Sequence, residues 1–381
     1  MTQRRWVTRS VEWGMELIFY AFAILLALVA GGLVMAAASV SPLEAYGLIW
    51  QGAAGSVNSI KETLVKAIPL LFAGLSYSFA YRSGLFNIGA EGQIYIGALT
   101  GAMAALLMPA GTPFLLHLPL SLLCGCLGGA IWGSIAGLLK VGRGASEIIN
   151  TIMLNYIAIY LISYMVTGPL KDPNGSMPQS APLPDSSVLP TLLGSRLHYG
   201  FIIAIVVAIL MYFLLHRTTW GYEIRSTGLN GQAAKVMGMP VRRNMVMVML
   251  VSGGLAGLGG YIEIAGVQHR LLQNFSPGYG YEGIAVALLG NTHPLGNMVS
   301  ALLFGGMKSG ANAMQRVTGA STSLVLVIQA LMIIIVVCNR YWFGKYKRQI
   351  TKWILHKLEG AHAGAHPGKV SLSKAGGGKN G

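Results

Sequence analysis

Charge is what this sequence has least of. Asp, Glu, Lys and Arg together make up 10% of its 381 residues, against about 25% in soluble domains, so a water-covered globule is excluded and lipid is the expected solvent. Cysteine is also scarce. Cys124, Cys126 and Cys338 all fall inside apolar runs, and Cys124 and Cys126, two apart, point to different faces of a helix. They read as inert thiols, with no disulfide framework and no zinc pattern. Phosphate-cradling and hydrolytic motifs are missing too. Gly-Lys occurs at 344–345, 368–369 and 378–379, followed by Tyr, Val and Asn, where a Walker A requires Ser or Thr. No nucleophile elbow and no HExxH stands in the chain. The polypeptide is therefore read as not an enzyme, holding no catalytic residues, no metal and no cofactor of its own.

Basic residues outnumber acidic ones, 27 to 12, and they are clustered. Arg4, Arg5 and Arg9 open the chain, Arg217, Arg225, Lys235, Arg242 and Arg243 fill a central loop, and more lie in the last 40 residues. With no soluble fold to carry a nucleic-acid patch, these read as cytoplasmic segments under the positive-inside rule. Leu17 to Ala38 is uncharged and long enough to span. Although Ala36-Ala37-Ala38 resembles a cleavage site, it is read as a retained first helix.

Apolar runs follow at about 63–80, 92–108, 117–139, 148–167, 199–215, 245–267, 295–312 and 321–339. The run 283–290 (GIAVALLG) would reach only about 12 Å, half a membrane. Continued by the Asn291-Thr292-His293-Pro294 break, it predicts a discontinuous helix over 283–294 and brings the crossings to about ten. Such breaks are tolerated only where protein or a water-filled cavity covers the backbone. An even count puts both termini inside, leaves the Pro-rich loop 168–198 outside, and returns the basic loop 216–244 inside. The expected fold is an all-α membrane bundle over 1–340 with a basic, largely disordered tail over 341–381. Trp342 and Trp353 are expected at the inner surface, and His356, His362 and His366 are read as solvated tail residues. Gly125, Gly129, Gly133 and Gly137 recur every four residues, and Gly253/Gly257 and Gly306/Gly310 repeat the interval, predicting close helix packing.

A few polar residues lie at membrane depth, where ionisable or amide groups are costly unless paired or wetted. Asn87, Glu91 and Gln93 sit in GLFNIGAEGQ (84–93). Glu147, Thr151 and Asn155 form one stripe, with Asn155 about 12 Å deeper than Glu147. Glu263 ends a run, Glu282 precedes the short one, and Asn291 stands in the break. Asn87, Glu91, Gln93, Asn155, Glu263 and Asn291 are the candidates for a translocation path. Each has a structural alternative. Glu91 can cap a half-helix through exposed backbone N–H groups, Asn155 can tie helices together, and Glu147 and Glu282 are expected near the interface and solvated. In the basic loop, Asn230 is placed to cap a short helix over 232–237 that Gly238 and Pro240 end.

These strings resemble a known family. GLFNIGAEGQIYIGAL (84–99), SEIINTIMLNYIA (146–158), TTWGYEIRSTGLNGQAAKVMGMPVRR (218–243), SGGLAGLGG (252–260) and FSPGYGYEGIAVALLGNTHPLG (275–296) are similar to permease subunits of bacterial ABC importers. The likeness is to the nucleoside and simple-sugar branch of the branched-chain amino acid/ribose-type permeases. It implies a subunit of roughly ten helices in the inner membrane, working by alternating access for nucleosides, with simple sugars as the alternative. The broken helix and buried Glu residues suggest an ion-coupled carrier as a rival of another class. The likeness implies a second permease, as a heterodimer, an extracytoplasmic binding protein, and a cytoplasmic ATPase that uses ATP and Mg. By the same resemblance, Gly221, Arg225, Gly228, Asn230, Ala233, Ala234 and Gly238 match the loop that couples to that ATPase.

Overall fold

The computed structural model describes residues 22, 25–109, 111–192, 194, 196–331, 333–335 and 338. The expectations for the basic N-terminus, Trp342, Trp353, the three tail histidines and the tail itself lie outside them. Contacts divide the chain into two units, 1–31 with 330–381, and 32–329. In the first, residues 25–31 are helical and expose Leu25, Leu26 and Val29. The second carries the fold.

Helix α1 covers Leu25–Ala37. It is followed by α2 (Pro42–Ala54), α3 (Val57–Arg82), α4 (Ala90–Leu107), α5 (Phe114–Arg143), α6 (Glu147–Thr167) and α7 (Gly200–Arg217). Then come α8 (Thr219–Leu229), α9 (Gly231–Val236), α10 (Val241–Glu263), α11 (Tyr279–Leu289) and α12 (Pro294–Thr318), and α13 (Ser323–Ile335). Among the described residues there are isolated β-bridges but no strand. Among the described residues five helices are long and apolar enough to cross a bilayer: α3, α5, α6, α7 and α10 with its continuation to Gln268. The bent pair α1 and α2 makes a sixth if it is one span. The helix α2 was not foreseen from the apolar runs. Its N-terminus is set by Pro42 in the first turn after the extended Ser41.

Burial sorts these spans. The apolar window of α3 is 83% buried and that of α10 67%, whereas α6 and α7 are buried over 22% and 28%. The first pair forms the interior, while α5, α6 and α7 turn Leu127, Ile131, Ile157, Tyr160, Val206 and Phe213 outward. Glycine makes the interior dense. A Cβ at Gly129 would stand 2.4 Å from the Gly253 carbonyl oxygen, one at Gly257 2.5 Å from that of Gly125, and one at Gly97 2.2 Å from the Gly257 Cα. The four-residue interval on α5 is thus a seam against α10, with α4 in the same contact, as the spacing predicts.

One end of the bundle is basic, carrying Arg82, Lys140 and the α8–α9 loop. At the other end, 168–198 folds down onto the connection between α10 and α11. The Ser180 N–H donates to the Leu271 carbonyl at 2.9 Å, and Leu183 and Leu189 donate to the carbonyls of His269 and Ala265 at 2.9 and 3.0 Å. There His198 is buried between Gly200 and the π-turn at Gly266. Burial first, and the nearby His269 second, push its imidazole down to about 4 from 6.5.

Candidate translocation site

The chain leaves α3 at Arg82, turns through Gly84 at φ +80, and runs back into the bundle before α4 begins. Asn87 organises that passage. Its Oδ1 accepts from the Gly89 N–H at 3.0 Å, and its Nδ2 donates to Ser252 Oγ at 2.7 Å and Gln93 Oε1 at 2.9 Å. Ser252 Oγ in turn donates to the Ser76 carbonyl at 2.7 Å, so α3, α4 and α10 are tied at one point. Counted along α3 from Arg82, Ser76 is about 9 Å into the bundle. From the side, Asn155 Oδ1 accepts from the Gly92 N–H at 2.8 Å while its Nδ2 donates to the Ile88 carbonyl at 3.0 Å. Two N–H groups at the start of α4, those of Gly89 and Gly92, are thus met by side chains where a helix starting inside a membrane would leave them bare.

The start of α11 meets the start of α4 at this depth. Gly280 lies so close that a Cβ there would be 2.1 Å from the Glu91 nitrogen, and Glu91 Oε2 accepts from the Gly280 N–H at 2.6 Å. The carboxylate therefore caps the neighbouring half-helix, at the end where the helix dipole favours negative charge. The broken helix is present with shifted bounds. It begins at Tyr279, ahead of the expected Gly283, because Gly278 at φ +94 and Ser276 Oγ, accepting from the N–H groups of Gly278 and Tyr279, set its start. It ends at Leu289. Asn291 and Thr292, at φ 57 and 50, make the break before Pro294.

Asn87, Glu91, Gln93 and Asn155 are thus brought together, all buried. Glu263 lies on the far side of Tyr279, whose hydroxyl donates to its Oε1 at 3.5 Å. Asn291 stands apart, exposed at the break, where Arg82 Nη2 donates to its carbonyl at 3.3 Å and Arg82 Nε to that of Thr292 at 3.0 Å.

Two glutamates expected to be solvated are paired instead. Glu147 Oε2 meets Lys140 Nζ at 2.7 Å, and Glu282 Oε1 meets Lys308 Nζ at 2.8 Å, with both carboxylates largely covered. Lys308 also stands 4.9 Å from the centre of the Tyr279 ring. A partner was supplied in each case by a lysine on the adjoining helix, which periodicity within one segment does not reveal. Lys308 is nevertheless the sole charge between residues 295 and 312, the signal by which it could have been found. Ser76 and Ser252 carried no such signal, since hydroxyls in apolar helices commonly bond their own backbone.

The basic loop holds two helices where one was expected. Thr218 Oγ1 accepts from the Gly221 N–H at 3.0 Å and starts α8. Gly221 is pressed on the end of α7, 2.1 Å from a would-be Cβ to the Leu214 carbonyl oxygen. Arg225 Nε donates to the Gly221 carbonyl at 3.3 Å. Asn230 Oδ1 then caps α9, accepting from Gln232 and Ala233 at 3.1 and 3.0 Å, and Gly238 ends it at φ +81. Of the two small residues, Ala234 is buried against its own chain and only Ala233 faces outward. Leu229 and Val236, 88% and 89% exposed, give the loop an apolar tip. An open groove of about 920 Å³ beside it is lined by Lys140, Lys235, Arg242 and Arg243. Gly228 abuts the start of the inward passage. A Cβ there would be 2.3 Å from the Arg82 carbonyl oxygen and 2.9 Å from the Gly84 nitrogen.

A helical bundle in which α4 and the short α11 start inside and meet, with a structured loop packed on the chain that enters α4, has the character of a membrane transport protein. The family model described as "branched-chain amino acid transport system / permease component" matches residues 59–337, and the chain belongs to that family. It is 36% identical over 341 residues to the guanosine ABC transporter permease protein NupP of Bacillus subtilis (strain 168), covering 88% of this chain and 97% of the relative. It is 35% identical over 335 residues to the glucose ABC transporter permease protein TsgB13 of Haloferax volcanii, covering 85% and 87%. It is 36% identical over 329 residues to the nucleoside ABC transporter permease protein NupB of Lactococcus lactis, covering 82% and 88%. These relatives are transporter permease subunits, not enzymes.

Proposed function

We propose that this chain is the permease subunit of an ATP-driven ABC importer and that its cargo is a nucleoside. The observation that carries the reading is the near full-length similarity to a guanosine permease. Together with the nucleoside permease it favours nucleosides over simple sugars, although a glucose permease is about as similar. Relatives named as ABC permeases do not favour an ion-coupled carrier. In this reading the chain crosses a bacterial cytoplasmic membrane about ten times, with both termini and the α8–α9 loop on the cytoplasmic side. A second permease chain completes a heterodimer, a binding protein delivers cargo, and a cytoplasmic ATPase supplies the energy from ATP and Mg.

Closure of the ATPase would press on the loop tip at Leu229, Ala233 and Val236. The loop passes the movement through Gly228 to Gly84, and through Arg82 to the α11–α12 break. The junction of Asn87, Glu91, Gln93 and Asn155 then opens or closes the path on which Glu263 lies. Uptake of labelled guanosine into proteoliposomes holding both permeases, the ATPase and the binding protein tests this, with glucose as competitor. Uptake should require ATP and be blocked by unlabelled nucleoside. Uptake that follows an ion gradient and ignores ATP refutes it, and uptake of glucose alone refutes the cargo.

A further inference from the structure

The first turn of α11 has two polar sides. One is used up by Glu91 and Asn155. The other, Tyr279 with Glu282, lines a half-open cavity of about 230 Å³ together with Lys66, Lys308, Asn312 and Gln329. The cavity is smaller than the about 300–1,000 Å³ usual for drug-sized ligands, and so fits a compact solute.

Two unmet groups face it. Glu282 gives one oxygen to Lys308, while its buried Oε2 has no partner. Gln329, 3% exposed, has neither its Oε1 nor its Nε2 hydrogen-bonded, and among the described residues no other buried side chain leaves both its polar atoms unmet. Each such buried atom costs stability unless something else fills the valence. The missing partner must offer a donor and an acceptor to the amide, and a donor to the carboxylate. Formal charges in and beside the cavity cancel, Lys66 and Lys308 against Glu282 and Glu263, which suits an uncharged ligand. A nucleobase edge has this pattern, with ring and exocyclic N–H groups beside ring nitrogens or carbonyl oxygens.

We propose that this cavity is a nucleobase-recognition site within the permease, in which Gln329 and Glu282 Oε2 read the hydrogen-bonding edge of the base in transit. Selectivity among nucleosides then resides partly in this chain. The proposal rests on the nucleoside reading above.

The test uses the complete importer in proteoliposomes and measures KM and preference for guanosine, adenosine, uridine and cytidine. Gln329→Leu should raise KM for the preferred nucleoside about tenfold or more, as loss of a buried hydrogen-bonded pair does. Gln329→Glu, which exchanges the amide donor for an acceptor, should change the order of preference, and it carries the test if Gln329→Leu does not assemble. Wild-type KM and preference order in these variants overturn the site while leaving the nucleoside importer standing. A wild-type importer that carries no nucleoside overturns the cargo assignment, and this site with it.

Discussion

At the scale of single residues, the buried polar groups divide by what meets them. Glu91 has a backbone N–H, so its removal acts first on the α4–α11 junction. Glu91→Gln keeps an acceptor for Gly280 without the charge, and should lower stability by up to about 1 kcal/mol. Glu91→Leu leaves the N–H unmet and should cost about 1–3 kcal/mol. Thermal unfolding of the purified protein in detergent measures both, and uptake measures the path. If stability and uptake are alike unaffected, the carboxylate neither caps nor conducts. His198 gives a pH signature. Its folded value near 4 lies below the ordinary 6.5, so the unfolded chain takes up a proton first as the pH falls. Its contribution, up to about 3 kcal/mol, is present above pH 6.5 and lost progressively down to about pH 4. His198→Gln should flatten the melting temperature across that window, and an unchanged slope would exclude His198 as its source.

At the scale of elements, the glycine seam and the half-helix were legible and their surroundings were not. Four-residue glycine spacing needs no knowledge of the partner to predict close approach, and Gly125 to Gly137 do pack on α10. The same seam predicts unequal tolerance along one helix. Gly129→Val must displace the α10 backbone and should cost several kcal/mol or prevent folding. Gly142→Ala, with nothing within 4 Å, should be neutral or stabilising by about 0.5–1 kcal/mol. Folded yield by size-exclusion chromatography separates the two. That Glu91 could cap a helix was legible in a carboxylate beside glycines at a helix start, alongside its reading as a path residue. Which helix it caps was not, because the Gly280 N–H comes from a segment far along the chain. For the same reason Lys140 and Lys308 were hidden partners, and α8 was missed because Thr218, which starts it, was not read as a cap.

At the scale of the whole molecule, the α8–α9 loop is a structured projection at the basic end, and the proposed coupling is open to a direct test. Ala233 is exposed, so Ala233→Trp should leave the bundle folded while separating ATP hydrolysis by the assembled importer from uptake. Unchanged transport per ATP would contradict a coupling role. The loop touches the bundle in two chemically different ways. Gly228 meets Gly84 through bare backbone contact, whereas Trp220 Nε1 donates to Asn244 Oδ1 at 3.2 Å and Asn244 Nδ2 donates to Glu223 Oε2 at 2.9 Å. Packed glycines resist compression but carry no tension. A push toward the bundle would meet the GLFNIGAEGQ passage at Gly84, while a pull would draw on α10 through Asn244 and on α3 through the Phe79–Trp220 ring contact. If the loop carries the coupling proposed above, push and pull would enter the bundle by different contacts, glycine backbone for the one and the side chains of Trp220 and Asn244 for the other.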